Sequence, residues 1–218
     1  MREAFQQCRD FLLLYAVFLV LGLTTILLSD KFELHLWFNQ WNSQPTDYLF
    51  RFTTHLAEGV FIGLMVLVGL LYKVRYGIAG LFGIVASGLT TQLLKRNVFS
   101  DHFRPSKLFE GIADLHFVDG VALHKAHSFP SGHSTAAFAL FLFLSFIAEH
   151  RTIKLICFLF AVLTAYSRVY LSQHFFEDIY VGSFIGTSIC FLSLSIFQNQ
   201  TWGDKGLLAN FEINRFRT

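Results

Sequence analysis

Six apolar runs of bilayer length set the terms on which this chain can fold. A hydrocarbon core takes roughly 20 residues of helix to cross. Segments at about 11–29, 48–72, 76–94, 131–148, 153–173 and 176–197 reach or approach that length. The expectation is an all-α polytopic membrane protein, one domain over residues 1–218, with six transmembrane helices. Composition agrees: 54% of residues are hydrophobic and only 15% are charged, where a soluble domain carries about a quarter. The opening MREAFQQCRD has the charge arrangement of a signal peptide. The apolar run after it is too long for one and lacks a small-residue cleavage site, so it reads as a retained first span.

Lysine and arginine set the orientation. Arg2 and Arg9, Lys73 and Arg75, Arg151 and Lys154, and Lys205, Arg215 and Arg217 alternate onto one side. That side is expected to be the cytoplasm of a bacterial-type inner membrane, with both termini on it. The opposite side receives residues 30–47, a long loop at 95–130 between helices three and four, and a short turn near 174. FELHLWFNQW, residues 32–41, is too short to span and suits the outer interface, with Trp37 and Trp41 at headgroup level. The third segment carries Gly77, Gly80, Gly83, Ala86 and Gly88, and the sixth carries Gly182 and Gly186 at GxxxG spacing. Both read as close packing between helices of one chain. Cys8, Cys157 and Cys190 are isolated and show neither disulfide nor metal spacing. A net charge of +2 without a basic stripe excludes a nucleic-acid partner.

The outer side nonetheless holds Lys95, Arg104 and Arg168, in three polar clusters that the topology brings to one face: KRNVFSDHFRP at 95–105, FPSGHS at 129–134 and SRVYLSQHFFEDIYVG at 167–182. Arginine's planar fork matches phosphate oxygens. A helix opening at Pro130–Ser131–Gly132 offers free N–H groups and its positive dipole end to an anion, and Gly132 permits close approach. His174 and Asp178, four apart, share a helix face, so the carboxylate can set the imidazole's tautomer and stabilise its charge. His133 is placed to protonate a leaving oxygen. A histidine nucleophile with a histidine acid and no acidic cage describes phosphoryl transfer through a phosphohistidine, its transition-state charge held by the basic residues and backbone donors. Neither a metal nor a cofactor is expected.

Over about residues 50–195 the chain resembles the type 2 phosphatidic acid phosphatases (PAP2). These six-span membrane enzymes remove phosphate from lipids and share their catalytic site with vanadium haloperoxidases. Their second motif stands here as Pro130-Ser131-Gly132-His133, and their third as Ser167-Arg168, five residues, His174, three residues, Asp178. In the first motif six residues usually separate a lysine from Arg-Pro, but that position here is Asn97; Lys95 lies two residues further back and is favoured, with Arg96 the competitor. The resemblance implies an outer-face active site with His174 as nucleophile, Asp178 as its orienter and His133 as acid. Lys95, Arg104, Ser131, Gly132 and Arg168 would be phosphate ligands.

Glu58, with His55 one turn before it, falls inside the second apolar segment. It is expected either to bond another helix or, with Ser167, to support the phosphate pocket from behind. Glu177 points away from Asp178's face and is given no role. His35 and His150 read as interfacial residues. His102, His116, His124 and His127 read as a cap over the site or as headgroup contacts. The expected substrate is a phosphorylated membrane lipid: polyprenyl diphosphate, phosphatidylglycerol phosphate or phosphatidic acid first, lipid A second. The rivals are a non-catalytic six-span lipid-binding or transport protein and an oxidative enzyme using bound vanadate.

Overall fold

The computed structural model describes residues 1–200 and 202–207, and every regular element among them is helical. In chain order these are α1 (Arg2–Leu28), α2 (Lys31–Asn39), α3 (Gln44–Thr53), a 3₁₀ turn (Thr54–Ala57), α4 (Gly59–Tyr72), α5 (Val74–Asn97), α6 (Pro105–Leu108), α7 (Gly132–Ile147), α8 (Arg151–Tyr170) and α9 (Phe176–Phe197). Four of them, α1, α5, α8 and α9, are long and apolar enough to cross a bilayer.

The expected second span is not one continuous helix. α3 with the 3₁₀ turn, and α4, lie end to end but bend by 55° at Glu58. Glu58 is therefore not buried inside a span. It stands at the break, half-exposed, with its carboxylate 2.9 Å from His55 Nδ1. Two ionisable groups one turn apart are costly in lipid, and the helix breaks where they fall. The expected fourth span also differs. α7 has 16 residues, or about 24 Å at 1.5 Å per residue, less than a hydrocarbon core. By length and composition alone, four helices among the described residues qualify as spans, or five with the bent pair counted as one, against the six expected.

α7 is short because it is an interior helix. It is apolar on every side, and Ala137 to Phe143 are all buried. A helix hydrophobic all round belongs in a core. α5, α8 and α9 surround it, and α1 packs on the outside. The exposed leucines and valines of α1, such as Val20, Leu27 and Leu28, face outward. Small residues let the surrounding helices approach. A Cβ on Gly80 would lie 2.6 Å from the Phe143 ring, and one on Gly186 would lie 2.2 Å from the Thr135 carbonyl oxygen. The GxxxG pair of α9 thus packs within the chain, as expected.

α2 lies where the aromatic interfacial segment was expected, capped by Asp30, whose carboxylate accepts from the N–H groups of Phe32 and Glu33. Trp37 and Trp41 are exposed. The basic residues near the starts of α1, α5 and α8 gather at the other end of the bundle. Arg151 pairs with Asp10 (3.4 Å), Arg75 with Asp204 (2.7 Å), and Lys154 donates to the Gln7 carbonyl. Arg215 and Arg217 lie outside the described residues.

Candidate active site

Helix directions bring the three polar clusters together at one end. α5 and α8 end there, with Lys95 and Arg168 in their last turns, and α7 and α9 begin there. A cavity of about 370 Å³ is lined by Gly88, Gln92, Lys95, Arg104, His124, Gly132, His133, Arg168 and His174. Six of these nine are among the expected site residues. Lys95 is buried and lines the cavity, whereas Arg96 is exposed and does not. The geometry therefore selects Lys95 over its competitor.

The turn between α8 and α9 presents His174. Ser172 takes a left-handed conformation (φ 52°), which ends α8 as a residue of that kind usually does. The N–H groups of Gln173 and His174 then donate back to the Arg168 carbonyl at 2.9 and 3.1 Å. A serine tolerates this conformation less well than glycine. Its hydroxyl is held from outside by His35 Nε2 and Asn39 Nδ2, each at 3.2 Å. His35 is thus a buried strut rather than an interfacial residue.

His174 and Asp178 are both buried, with Nδ1 3.2 Å from Oδ2. The carboxylate has accepted no proton in that role, so the imidazole donates from Nδ1 and keeps its Nε2 lone pair. Burial, and then the charges of Arg104, Lys95, Arg168 and His133, hold His174 well below the usual histidine range. It is an unprotonated imidazole at neutral pH. Asp178, at the third position of α9, also accepts from the Phe175 N–H at 3.0 Å, the reach-back of a helix N-terminus. The Ser131 N–H donates to the Asp178 carbonyl at 3.0 Å, tying the start of α7 to the start of α9.

The cations are anchored yet keep donors free. Arg168 Nη1 donates to Thr54 Oγ1 at 2.6 Å, while its buried Nε has no partner among the described residues. Arg104 donates from Nη1 to the carbonyl and side-chain oxygens of Gln173 at 3.1 and 3.0 Å, and from Nε to the Ala126 carbonyl at 3.0 Å. Its Nη2 remains for a ligand. These bonds also hang the 122–126 segment over the cavity, helped by Gln173 Nε2 on the Ala122 carbonyl and Ser106 Oγ on the His124 carbonyl. Further along the same loop, Lys107 and Lys125 both bind Glu110, at 2.8 and 3.0 Å.

Two expected ligands are placed differently. Ser131 is the cap of α7, accepting from the Ser134 N–H and hydroxyl at 3.3 and 3.0 Å. Its N–H goes to Asp178, and the residue is fully buried and does not line the cavity. The N–H groups of Gly132 and His133, the first two of α7, face no helical acceptor and take that place. Ser167 Oγ donates to the Thr164 carbonyl in its own helix at 2.6 Å. Among the loop histidines, His124 lines the cavity and His116 pairs with Asp47 at 2.9 Å. Glu177, given no role, pairs with Lys31 at 3.3 Å and joins α2 to α9.

Sequence reading missed Ser128, Thr54, Gln173 and Gln92. Ser128 stands two residues before the Pro-Ser-Gly-His run, and Gln173 immediately before His174. Their adjacency to motif residues was the available signal. Thr54 had none, since only the break in the second span brings it to Arg168.

Comparison with known proteins places this geometry. The sequence model of the PAP2 superfamily matches residues 76–202. A lipid A 4'-phosphatase of Bacteroides thetaiotaomicron is 32% identical over 83 residues, covering 38% of this chain and 37% of that protein. The chain thus matches little more than a third of that relative's length. The crystal structure of Aquifex aeolicus LpxE superposes with a TM-score of 0.67 at 27% identity, over 76% of this chain and 94% of that one. A transmembrane PAP2-type phosphatidylglycerolphosphate phosphatase from Bacillus subtilis superposes with a TM-score of 0.63 over 88% and 98%. At 22% identity its likeness concerns the fold alone.

Proposed function

The chain belongs to the PAP2 superfamily, and from that premise we propose that it is a metal-independent phosphatase of membrane lipids, working through a phosphohistidine at His174. The observation that carries this reading is one cavity holding an unprotonated imidazole, its carboxylate partner, three cations, a second histidine and the free N–H groups of α7.

His174 Nε2 attacks phosphorus in line, and the ester P–O bond breaks. Burial and then the charges of Arg168, Arg104 and Lys95 hold His133 down to about 3; a bound phosphate dianion offsets those charges, so His133 gains a proton and gives it to the departing lipid oxygen. Lys95, Arg104, Arg168 and the N–H groups of Gly132 and His133 hold the equatorial oxygens as charge builds. Asp178 stabilises the cationic phosphoimidazole. Water, losing a proton to His133, then breaks the P–N bond and releases phosphate.

For the substrate, we favour a phosphate monoester on a lipid or glycolipid headgroup over a polyprenyl diphosphate. Lys107 and Lys125, the lysines of the loop that carries Arg104 and His124, are both paired with Glu110 rather than free for a second phosphate. Glu110 lies so close to the two that its carboxyl is pulled down to about 2. The curated relative, a lipid A 4'-phosphatase, supports the same direction. We place the site on the outer face, because the opposite end carries the lysines and arginines that favour the cytoplasm.

A panel of purified lipid phosphates, assayed for phosphate release with a chelator present, tests this. Turnover should be undiminished by the chelator, fastest on monoesters, and at least about 10³-fold lower in His174→Ala, as for loss of a covalent nucleophile. Retained turnover in His174→Ala would end the phosphohistidine reading.

A further inference from the structure

Among the described residues, Ser128 is the one side chain outside the known motif positions that hydrogen-bonds to both members of the histidine–aspartate pair. It is buried, and its hydroxyl donates to Asp178 Oδ2 at 2.5 Å, with His174 Nδ1 3.4 Å away. The shorter contact takes its proton. Oδ2 therefore serves three donors at once: Ser128 Oγ, His174 Nδ1 and the Phe175 N–H. The Ser128 N–H donates to the His102 carbonyl at 2.8 Å, so this residue joins the loop leaving α5 to the carboxylate at the start of α9.

We propose that Ser128 is a positioning residue for the reaction: it fixes the Asp178 carboxylate so that Oδ2 faces His174 Nδ1, and it tempers the carboxylate's basicity. This rests on the phosphohistidine reading. A carboxylate with only two donors can swing away from the imidazole, and the Nδ1–H tautomer that frees Nε2 loses its guide. A donor to a carboxylate also favours its charged form. Removing Ser128's donor makes Asp178 a stronger base and moves the acid limb of kcat/KM to higher pH. The other groups acting on the pair remain: Lys95 from α5, Arg104 from the loop, His133 from α7, Arg168 from α8 and Glu177 on Asp178's own helix. Their combined field is common to wild type and variant, so the displacement between the two profiles reports Ser128.

The test compares Ser128→Ala, Ser128→Thr and His174→Ala on detergent-solubilised phosphatidic acid, with kcat, KM, pH profile and Tm measured for each. Losing one charge-assisted hydrogen bond at a reacting pair should lower kcat of Ser128→Ala about tenfold. KM and Tm should stay near wild type, the acid limb should rise, and Ser128→Thr should restore both kcat and the acid limb. Should Ser128→Ala not fold, Ser128→Cys, of similar shape with a weak donor, carries the same expectation. Wild-type kcat and pH profile in Ser128→Ala beside an inactive His174→Ala would overturn this inference alone. So would a loss in which KM and Tm move together without rescue by threonine, which marks a merely structural serine. An active His174→Ala would overturn the reading beneath it.

Discussion

His35 shows how far the support of a reacting residue extends beyond it. Its ring lies between Phe109 and Phe175, 5.7 and 5.3 Å away, and its Nε2 holds the hydroxyl of Ser172, two residues before His174. Burial pushes its imidazole down to about 4. The unfolded chain binds this proton below the ordinary histidine value and the folded chain does not. Stability from this residue is therefore complete above about pH 6.5 and declines as pH falls toward 4, by roughly 3 kcal/mol in all. Thermal unfolding of the detergent-solubilised protein across that range should show the decline. His35→Phe should make it shallower, leaving the share of the other buried histidines such as His174, and because the Ser172 hydroxyl then loses a partner, activity should drop even where the protein stays folded. Three missed side chains, Ser128, Thr54 and Gln173, and the misplaced His35 share one property. Each is an ordinary polar residue in sequence and acquires meaning only from the acceptor or donor that the fold places against it.

Among the elements, α9 carries two duties about two turns apart. Its first turn offers Asp178, and two turns later Gly186 lets its backbone press against Thr135 of α7. A side chain there must displace α7, whose first N–H groups line the cavity. Gly186→Ala should therefore destabilise by about 1–3 kcal/mol, the usual range for overpacking, and should lower kcat beyond what instability explains. Gly63, on α4, provides the contrast, since a Cβ there meets no atom within 4 Å. Gly63→Ala should be neutral or stabilising by up to about 1 kcal/mol, from the better helix propensity of alanine. Melting temperature and turnover on the two variants check both statements. The break at Glu58 belongs to this scale too. By bending the second apolar segment, it sets Thr54 beside Arg168, so the interruption of a span becomes part of the site.

For the whole molecule, the expected orientation has a direct check. Cys8, Cys157 and Cys190 are free and buried, so background reaction with an impermeant thiol reagent should be low. Lys125→Cys, at the cavity end, should label in intact cells, and Arg151→Cys, at the other end, only after lysis. The reverse pattern would turn the site toward the cytoplasm. Much of this organisation was legible in the amino-acid order. Helix-length apolar runs, the Pro130–His133 and Ser167–Asp178 spacings and the alternation of basic residues act locally or through counting, so the helical class, the sixth helix at 176–197 and six of the nine residues lining the cavity could be named from them. The sequence favours Lys95 over Arg96, but the ground for the choice lies outside it, because it depends on which way the last turn of α5 faces. The interior place of α7, the bend at Glu58 and the use of Ser131 as a cap could not be named from it. Apolar runs look alike whether they meet lipid or protein, and a hydroxyl is equally ready to bind a phosphate or a neighbouring N–H. Which partner each one meets is decided by contacts between segments far apart in sequence, and those exist only once the helices have packed.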